Sequence, residues 1–333
     1  MARPFLTVLT ATIPTTKRRL YQGLRRRIRP LVKPGVPLPT VSPFPGHYAV
    51  VRSVVEGLRE IHADFNFNPR RLSDLARIVY APENAALRQA AGLKRRGHID
   101  YLVAGPVNAL FADESDGVLL LPEIDRLIIA SEWVRDFYRD APQLLQKSVV
   151  CPCGVDPQYW KPTGQPRKNR ALVYWKSGDE AFCEQVEHIV RSCGLQPRRV
   201  RSAPGEHALF TADDFRRLLA ESTVGVFLSA FETQGLALAE AWSMDVPTAV
   251  WDPHAAAEWR GHRFQAGSSA PYLTPATGRP WRTLNDLEAV LRSLLADRAA
   301  WRPREWLVAH MTDAIRSAAL YDIIRTGWAA RHR

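Results

Sequence analysis

Residues 224–252, VGVFLSAFETQGLALAEAWSMDVPTAVWD, decide the fold. An apolar, β-rich run from Val224 to Ser229 stops at a short loop carrying Glu232. A helix is predicted from about Gln234, with a second carboxylate, Glu240, two turns in. Pro247 breaks that helix, and a second apolar strand runs from Thr248 to Trp251. Strand, loop, helix, strand is half of a parallel α/β unit. Both acids fall at the carboxyl edge of the sheet, where open α/β sheets bind ligands.

The loop's chemistry follows from its residue types. Gly235 lets a ligand approach the backbone closely, and the N–H groups of Thr233, Gln234, Gly235 and Leu236 open the helix. A helix N-terminus offers unpaired donors and partial positive charge, which suits a phosphate or diphosphate. Carboxylates are poor phosphate ligands but good acceptors from paired hydroxyls. A diphosphate between two hydroxyl-bearing groups describes a nucleotide sugar, with Glu240 on the ribose and Glu232 on the sugar.

Glu232 and Glu240 have seven residues between them, and FETQGLALAEAWSMDVPTAV resembles the E-x7-E segment of family 4 retaining glycosyltransferases. Upstream, PCGVDPQYWKP (152–162) is similar to the P-x-GVD-x-x-x-F-x-P segment that leads into the donor domain of that family. IIASEWVRDFY (128–138) resembles its last strand and helix of the first domain. The three segments stand in the family's order. The resemblance implies an α/β protein of the GT-B fold, two Rossmann-like domains facing across a cleft. It implies a hexosyltransferase-type enzyme (EC 2.4) that moves a sugar from a nucleotide-diphosphate donor to a hydroxyl acceptor with retention. The acceptor would be a glycan, a lipid-linked molecule or a small molecule. Glu232 and Lys176 would be the catalytic pair, Glu232 orienting the sugar and Lys176 neutralising the diphosphate. The donor would be held by Lys176, Glu232, Thr233, Gln234, Gly235, Leu236 and Glu240.

The chain departs from the pattern in three places. No motif places the family's first-domain histidine. Asp245 stands where the helix usually ends in glycine. The family's arginine and lysine on the first donor-domain loop are answered by ALVYWKSGDE, in which Lys176 alone follows the strand. These departures keep a rival reading open, a catalytically inactive GT-B-like binding or scaffolding protein at a membrane surface.

Composition excludes several classes. The 333 residues are 46% hydrophobic, enough for two globular domains, and no apolar run reaches the ~20 residues of a membrane span. The stretch Pro4 to Pro14 lacks a charged leading region and an A-x-A exit, so it is expected to be a first strand and not a secretory signal. Cys151, Cys153, Cys183 and Cys193 have no second Cys or His pair at zinc-site spacing, and no D-x-D occurs. No metal and no cofactor beyond the sugar nucleotide is expected, and reduced cytoplasmic thiols are the default.

Nine basic residues and no acids lie between positions 1 and 35, leaving +2 of the +11 formal charge for the rest of the chain. Residues 17–33 also carry Leu20, Leu24, Ile28 and Leu31 at helical spacing. That pattern fits an anionic membrane surface as well as it fits a solvated loop, and it would place a cytoplasmic protein on the inner face of the cell membrane. Without interleaved aromatic residues, a nucleic-acid partner is not expected.

Punctuation divides the chain into a basic, proline-rich segment (1–45) that includes the first strand, an acceptor-side Rossmann-like domain (46–150), an interdomain linker (151–169) and a donor domain (170–333). In the first domain, strands are predicted at 76–80, 99–104 and 127–130, and helices at 84–96 and 132–138. The donor domain reads as strands at 171–175 and 198–201 and helices at 180–193 and 213–221 before the opening unit. A long polar stretch, 254–280, and helices at 284–295 and 306–324 follow it, the last a candidate to cross back onto the first domain as in GT-B enzymes. Gly46 and His47 loosely resemble a cleft-facing glycine loop, and Asn108 follows a strand end. These three are the acceptor-side candidates, with capping or packing for His47 and an ordinary turn for Asn108 as the competing readings.

Overall fold

Short runs, most of them apolar and buried at the centre of each sheet, build two sheets whose strands are all parallel, as such runs do when helical crossovers cover the sheet. The structure, a computed structural model, describes residues 3–13, 48–202 and 210–331. The chain forms two units. One comprises Met1–Ile129, Arg135–Cys151 and Ser317–Arg333, the other Ala130–Val134 and Pro152–Arg316. Gly46, His47 and the basic segment 17–33 lie outside the described residues.

In the first unit six strands run in the order β2-β1-β3-β4-β5-β6. They are β1 (Leu6–Val8), β2 (Phe65–Phe67), β3 (Ile78–Ala81), β4 (Tyr101–Ala104), β5 (Arg126–Ile129) and β6 (Ser148–Val150). Helices α1 (Tyr48–Glu60), α2 (Asn84–Arg95) and α3 (Pro142–Lys147) alternate with them. The segment expected as a helix at 132–138 is instead a 3-10 helix. One face of the sheet packs Leu6, Val8, Ile78, Tyr80 and Val103 against Val51, Val55 and Leu58 of α1 and against Leu320 and Ile324 near the C-terminus.

The second unit has a five-stranded sheet in the order β13-β10-β9-β7-β8. Its strands are β7 (Arg170–Trp175), β8 (Gln196–Arg201), β9 (Val224–Leu228), β10 (Thr248–Trp251) and β13 (Gly278–Trp281). Helices α4 (Glu180–Ser192), α5 (Ala212–Glu221), α6 (Leu236–Ser243) and α7 (Leu284–Ala296) cover it. Alternation along β7 sends Leu172 and Tyr174 into one apolar layer, with α5 and α6. It sends Ala171, Val173 and Trp175 into the other, with α4 and α7.

Three sequence expectations need correction. Residues 254–280, read as a long polar stretch, contain an antiparallel hairpin, β11 (Ala256–Trp259) with β12 (His262–Gln265), and the edge strand β13. Pro280 is tolerated there because an edge strand has one unpaired side. The helix expected over 306–324 is two helices, α8 (Pro303–His310) and α9 (Asp313–Arg331). The break is built by residue 155 of the supposed linker: Val155 N–H donates to Met311 O (2.9 Å) and Asp313 N–H donates to Val155 O (3.1 Å). Thr312 then caps α9, its Oγ1 accepting from Ile315 N–H at 3.2 Å. Residues 152–169 therefore belong to the second unit, and Trp160 is buried in its core. Ser317–Arg333, which takes in α9 from Ser317 onward, belongs to the first.

Candidate functional site

The first turn of α6 has no side-chain cap. Its cap residue is Gly235, in the left-handed region at φ 82°, so no side chain closes the donors. α5 and α7 differ: Thr211 with Asp214, and Thr283 with Asp286, form capping boxes. Ser131 Oγ donates to Thr233 O (2.6 Å), and Trp133 Nε1 donates to Glu232 O (3.0 Å). In a trans peptide the carbonyl and the following N–H point in opposite directions, so these bonds turn the Thr233 and Gln234 N–H groups the other way. Among the described residues the N–H groups of Thr233, Gln234, Gly235, Leu236 and Ala237 have no protein acceptor.

The rest of α6 is firmly seated. Leu238, Ala239 and Trp242 are buried, and Trp242 Nε1 donates to Thr248 Oγ1 on β10 (3.1 Å). The helix ends with Asp245 N–H donating to Trp242 O and Val246 N–H to Ala241 O, both 2.9 Å. This is a Schellman arrangement with Asp245 at the left-handed position, φ 59°. Arg298 Nη2 binds the Asp245 carboxylate at 2.9 Å and also its carbonyl, and so holds an aspartate where glycine is usual. Arg304 donates to Ser243 O (2.5 Å), Trp160 O and Pro157 O (both 3.0 Å), placing a cation at the helix C-terminus.

Lys176 and Glu232 come together at the carboxyl ends of β7 and β9. The N–H groups of Lys176 and Ser177 both donate to Leu228 O at 2.9 Å, tying the two strand ends to each other. Lys176 Nζ lies 2.7 Å from Glu232 Oε1, and the two side chains are 29% and 17% exposed. Ser229 Oγ donates to the same carboxylate oxygen at 3.0 Å. Burial works against the Lys176 ammonium, but the Glu232 charge and hydrogen bond outweigh it, and the lysine titrates above its ordinary value. Burial, with the Glu232 charge second, pushes the neighbouring Tyr174 hydroxyl up as well.

Glu240, half-buried on α6, adds negative charge felt by Tyr174 and Tyr159. Tyr159 OH donates to Asp213 Oδ1 at 2.8 Å, and Arg216 lies over its ring. Burial first, then the bond to Asp213, lifts this hydroxyl to about 12.

The sequence-predicted residues thus divide. Lys176 follows β7, Glu232, Thr233 and Gln234 lie in the loop between β9 and α6, Gly235 caps α6, Leu236 opens it, and Glu240 lies on its second turn. The Gln234 side chain is committed elsewhere: Nε2 donates to Cys153 O (2.8 Å), and Oε1 accepts from Cys153 N–H (3.0 Å). Its backbone N–H is left without a protein acceptor among the described residues. Asn108 is exposed, beyond the end of β4 in the first unit. Sequence reasoning missed Ser131, Trp133 and Ser229. Ser229 carried a signal, a hydroxyl three positions before the acid, whereas the bonds of Ser131 and Trp133 join residues about a hundred positions apart in sequence. Among the described residues, no three His, Cys, Asp or Glu side chains are grouped to hold a metal ion. None of the described helices is long and apolar enough to cross a membrane.

No protein-family model matches the chain. No curated protein matches it in sequence. Solved structures do match in fold. Sucrose-phosphate synthase from Thermosynechococcus elongatus superposes with a TM-score of 0.53 at 13% identity, over 99% of this chain and 100% of that one. HepE from Anabaena, solved with UDP and glucose, has a TM-score of 0.55 at 12% identity, over 96% and 99%. The catalytic domain of starch synthase IV from Arabidopsis thaliana, bound to ADP and acarbose, has a TM-score of 0.52 at 10% identity, over 75% and 72%. At these identities the likeness shows the fold, which is GT-B, built from two Rossmann-like units.

Proposed function

We propose that this chain is a glycosyltransferase of the family 4 type, which transfers a sugar from a nucleotide-diphosphate donor to a hydroxyl acceptor with retention. The observation that carries the reading is the Lys176–Glu232 pair, 2.7 Å apart, beside the open N–H groups of residues 233–237. An ammonium has three donors, so Lys176 can keep Glu232 while offering two to a diphosphate. Glu232, fixed by Lys176 and Ser229, accepts from sugar hydroxyls. Glu240 accepts from the ribose; its side chain leans toward the helix N-terminus, as helical side chains do.

The leaving diphosphate gains charge as the glycosidic bond breaks. Preorganised N–H donors and Lys176 stabilise that charge more in the transition state than in the ground state, which lowers the barrier. The reading requires no metal, and it assigns no nucleophile; Glu232 orients the sugar. Solved relatives in fold carry UDP with glucose and ADP with acarbose, which supports a nucleotide-sugar donor here.

The test is turnover. The full chain is incubated with UDP-glucose, UDP-N-acetylglucosamine, GDP-mannose and ADP-glucose, and release of the nucleoside diphosphate is followed with and without candidate sugar acceptors. The expected result is release from one donor, slowed about 100-fold or more in Lys176→Met, as when one transition-state donor is removed. Release at the same rate in Lys176→Met, or from none of the donors, contradicts the proposal.

A further inference from the structure

The loop after β10 carries a pair that the proposed chemistry leaves unused. His254 Nε2 lies 3.2 Å from Asp252 Oδ2. The other oxygen, Asp252 Oδ1, accepts from Ser269 N–H at 2.8 Å, and the Asp252 N–H donates to Trp281 O at 2.9 Å. Asp252 is therefore fixed at both ends and only 15% exposed, while the His254 side chain is 43% exposed.

This pair stands next to the sugar-orienting acid. Trp251 pairs with Leu228 in the sheet, so Asp252 and Ser229 leave adjacent strands at the same level. Glu232 N–H donates to Ser268 O at 3.0 Å, and the next residue, Ser269, is the one bonded to Asp252. A single dipeptide thus links the backbone of Glu232 to the carboxylate that holds His254.

The histidine backbone is itself unusual. His254 has φ 49°, in the left-handed region that residues with a Cβ enter at a cost, and Gln265 Nε2 binds its carbonyl there. Strained backbone of this kind concentrates at functional positions. The Nε2 edge of the ring faces Asp252, and among the described residues the Nδ1 edge has no hydrogen-bond partner.

We infer that His254, oriented by Asp252, is a sugar-hydroxyl contact of this site and helps to select the transferred sugar. The inference rests on the nucleotide-sugar reading above. His254 touches the sugar, and Asp252 is a positioning residue that faces its Nε2 edge.

Calorimetric titration of the full chain with UDP, GDP and ADP, and with UDP-glucose, UDP-N-acetylglucosamine, GDP-mannose and ADP-glucose, tests it. In His254→Ala, affinity for the sugar nucleotide that the wild type prefers is expected to fall about three- to tenfold, the worth of one hydrogen bond. Affinity for the matching free diphosphate stays unchanged, and His254→Gln, which keeps an acceptor, recovers part of the loss. Unchanged affinity for the sugar nucleotide, or an equal loss for the free diphosphate, overturns the inference and leaves the proposed function standing. A wild type that binds none of the seven compounds overturns both.

Discussion

Lys176 Nζ lies 2.7 Å from Glu232 Oε1 although the two residues are 56 positions apart. The catalytic and donor-binding roles assigned to them therefore fall on one ion pair. Removing the cation in Lys176→Met leaves a largely buried carboxylate without it, which costs about 1–3 kcal/mol of stability. Lys176→Met with Glu232→Gln is expected to recover most of that stability by chemical denaturation. Affinity for a nucleoside diphosphate is not expected to recover, because the diphosphate still lacks its cation.

Alkaline pH is expected to weaken the fold through Tyr159. Its folded-state value is about 12 against an ordinary 10.0, so the folded chain keeps a proton that the unfolded chain releases. That contribution is fully present below pH 10 and lost as pH rises towards 12. Lys176, also raised above its ordinary value, acts in the same direction. In Tyr159→Phe, Tm should fall less steeply over this window than in the wild type.

Asp245 carries a left-handed backbone, and Arg298 anchors it. Asp245→Ala keeps the strain and loses the anchor, with an expected cost of about 1–2 kcal/mol. Asp245→Gly relieves the strain and should cost less than Asp245→Ala. Thermal unfolding of the two variants ranks them, and the reverse order contradicts the assignment.

Gly154 is required by close approach. A Cβ there would lie 2.4 Å from Asp313 N and from Thr312 C and O, all backbone atoms that cannot swing aside. Gly154→Ala should therefore cost about 1–3 kcal/mol or more in denaturant unfolding. It should also loosen the Val155–Thr312 pairing that separates α8 from α9.

Periodicity and short motifs made the second unit readable. Strand runs at β7, β9 and β10 are apolar on both faces, and Pro247 and Gly235 mark the ends of the intervening helix. What stayed hidden depends on distant partners. β13 contains Gly278 and Pro280, which read as a turn until β10 pairs with it. The α8–α9 break follows from Val155, more than 150 positions upstream. Within the site, the acids and the glycine were legible because their chemistry is local. The orientation of the 232–234 peptides was not, because Ser131 and Trp133 impose it from a segment about a hundred residues earlier. Asp245 could be recognised as a departure from glycine, but its compensation by Arg298 could not.

The most direct test of the donor site is the affinity of the wild type and Glu240→Ala for UDP-, GDP- and ADP-sugars by calorimetry. Glu240 is half-buried on α6, and its loss probes the proposed ribose contact. The wild type is expected to bind one nucleotide class and Glu240→Ala to bind it about tenfold or more weakly, the worth of a hydroxyl bonded to a charged acceptor. Equal affinity in the two proteins, or no binding of any nucleotide sugar by the wild type, would contradict the proposed donor site.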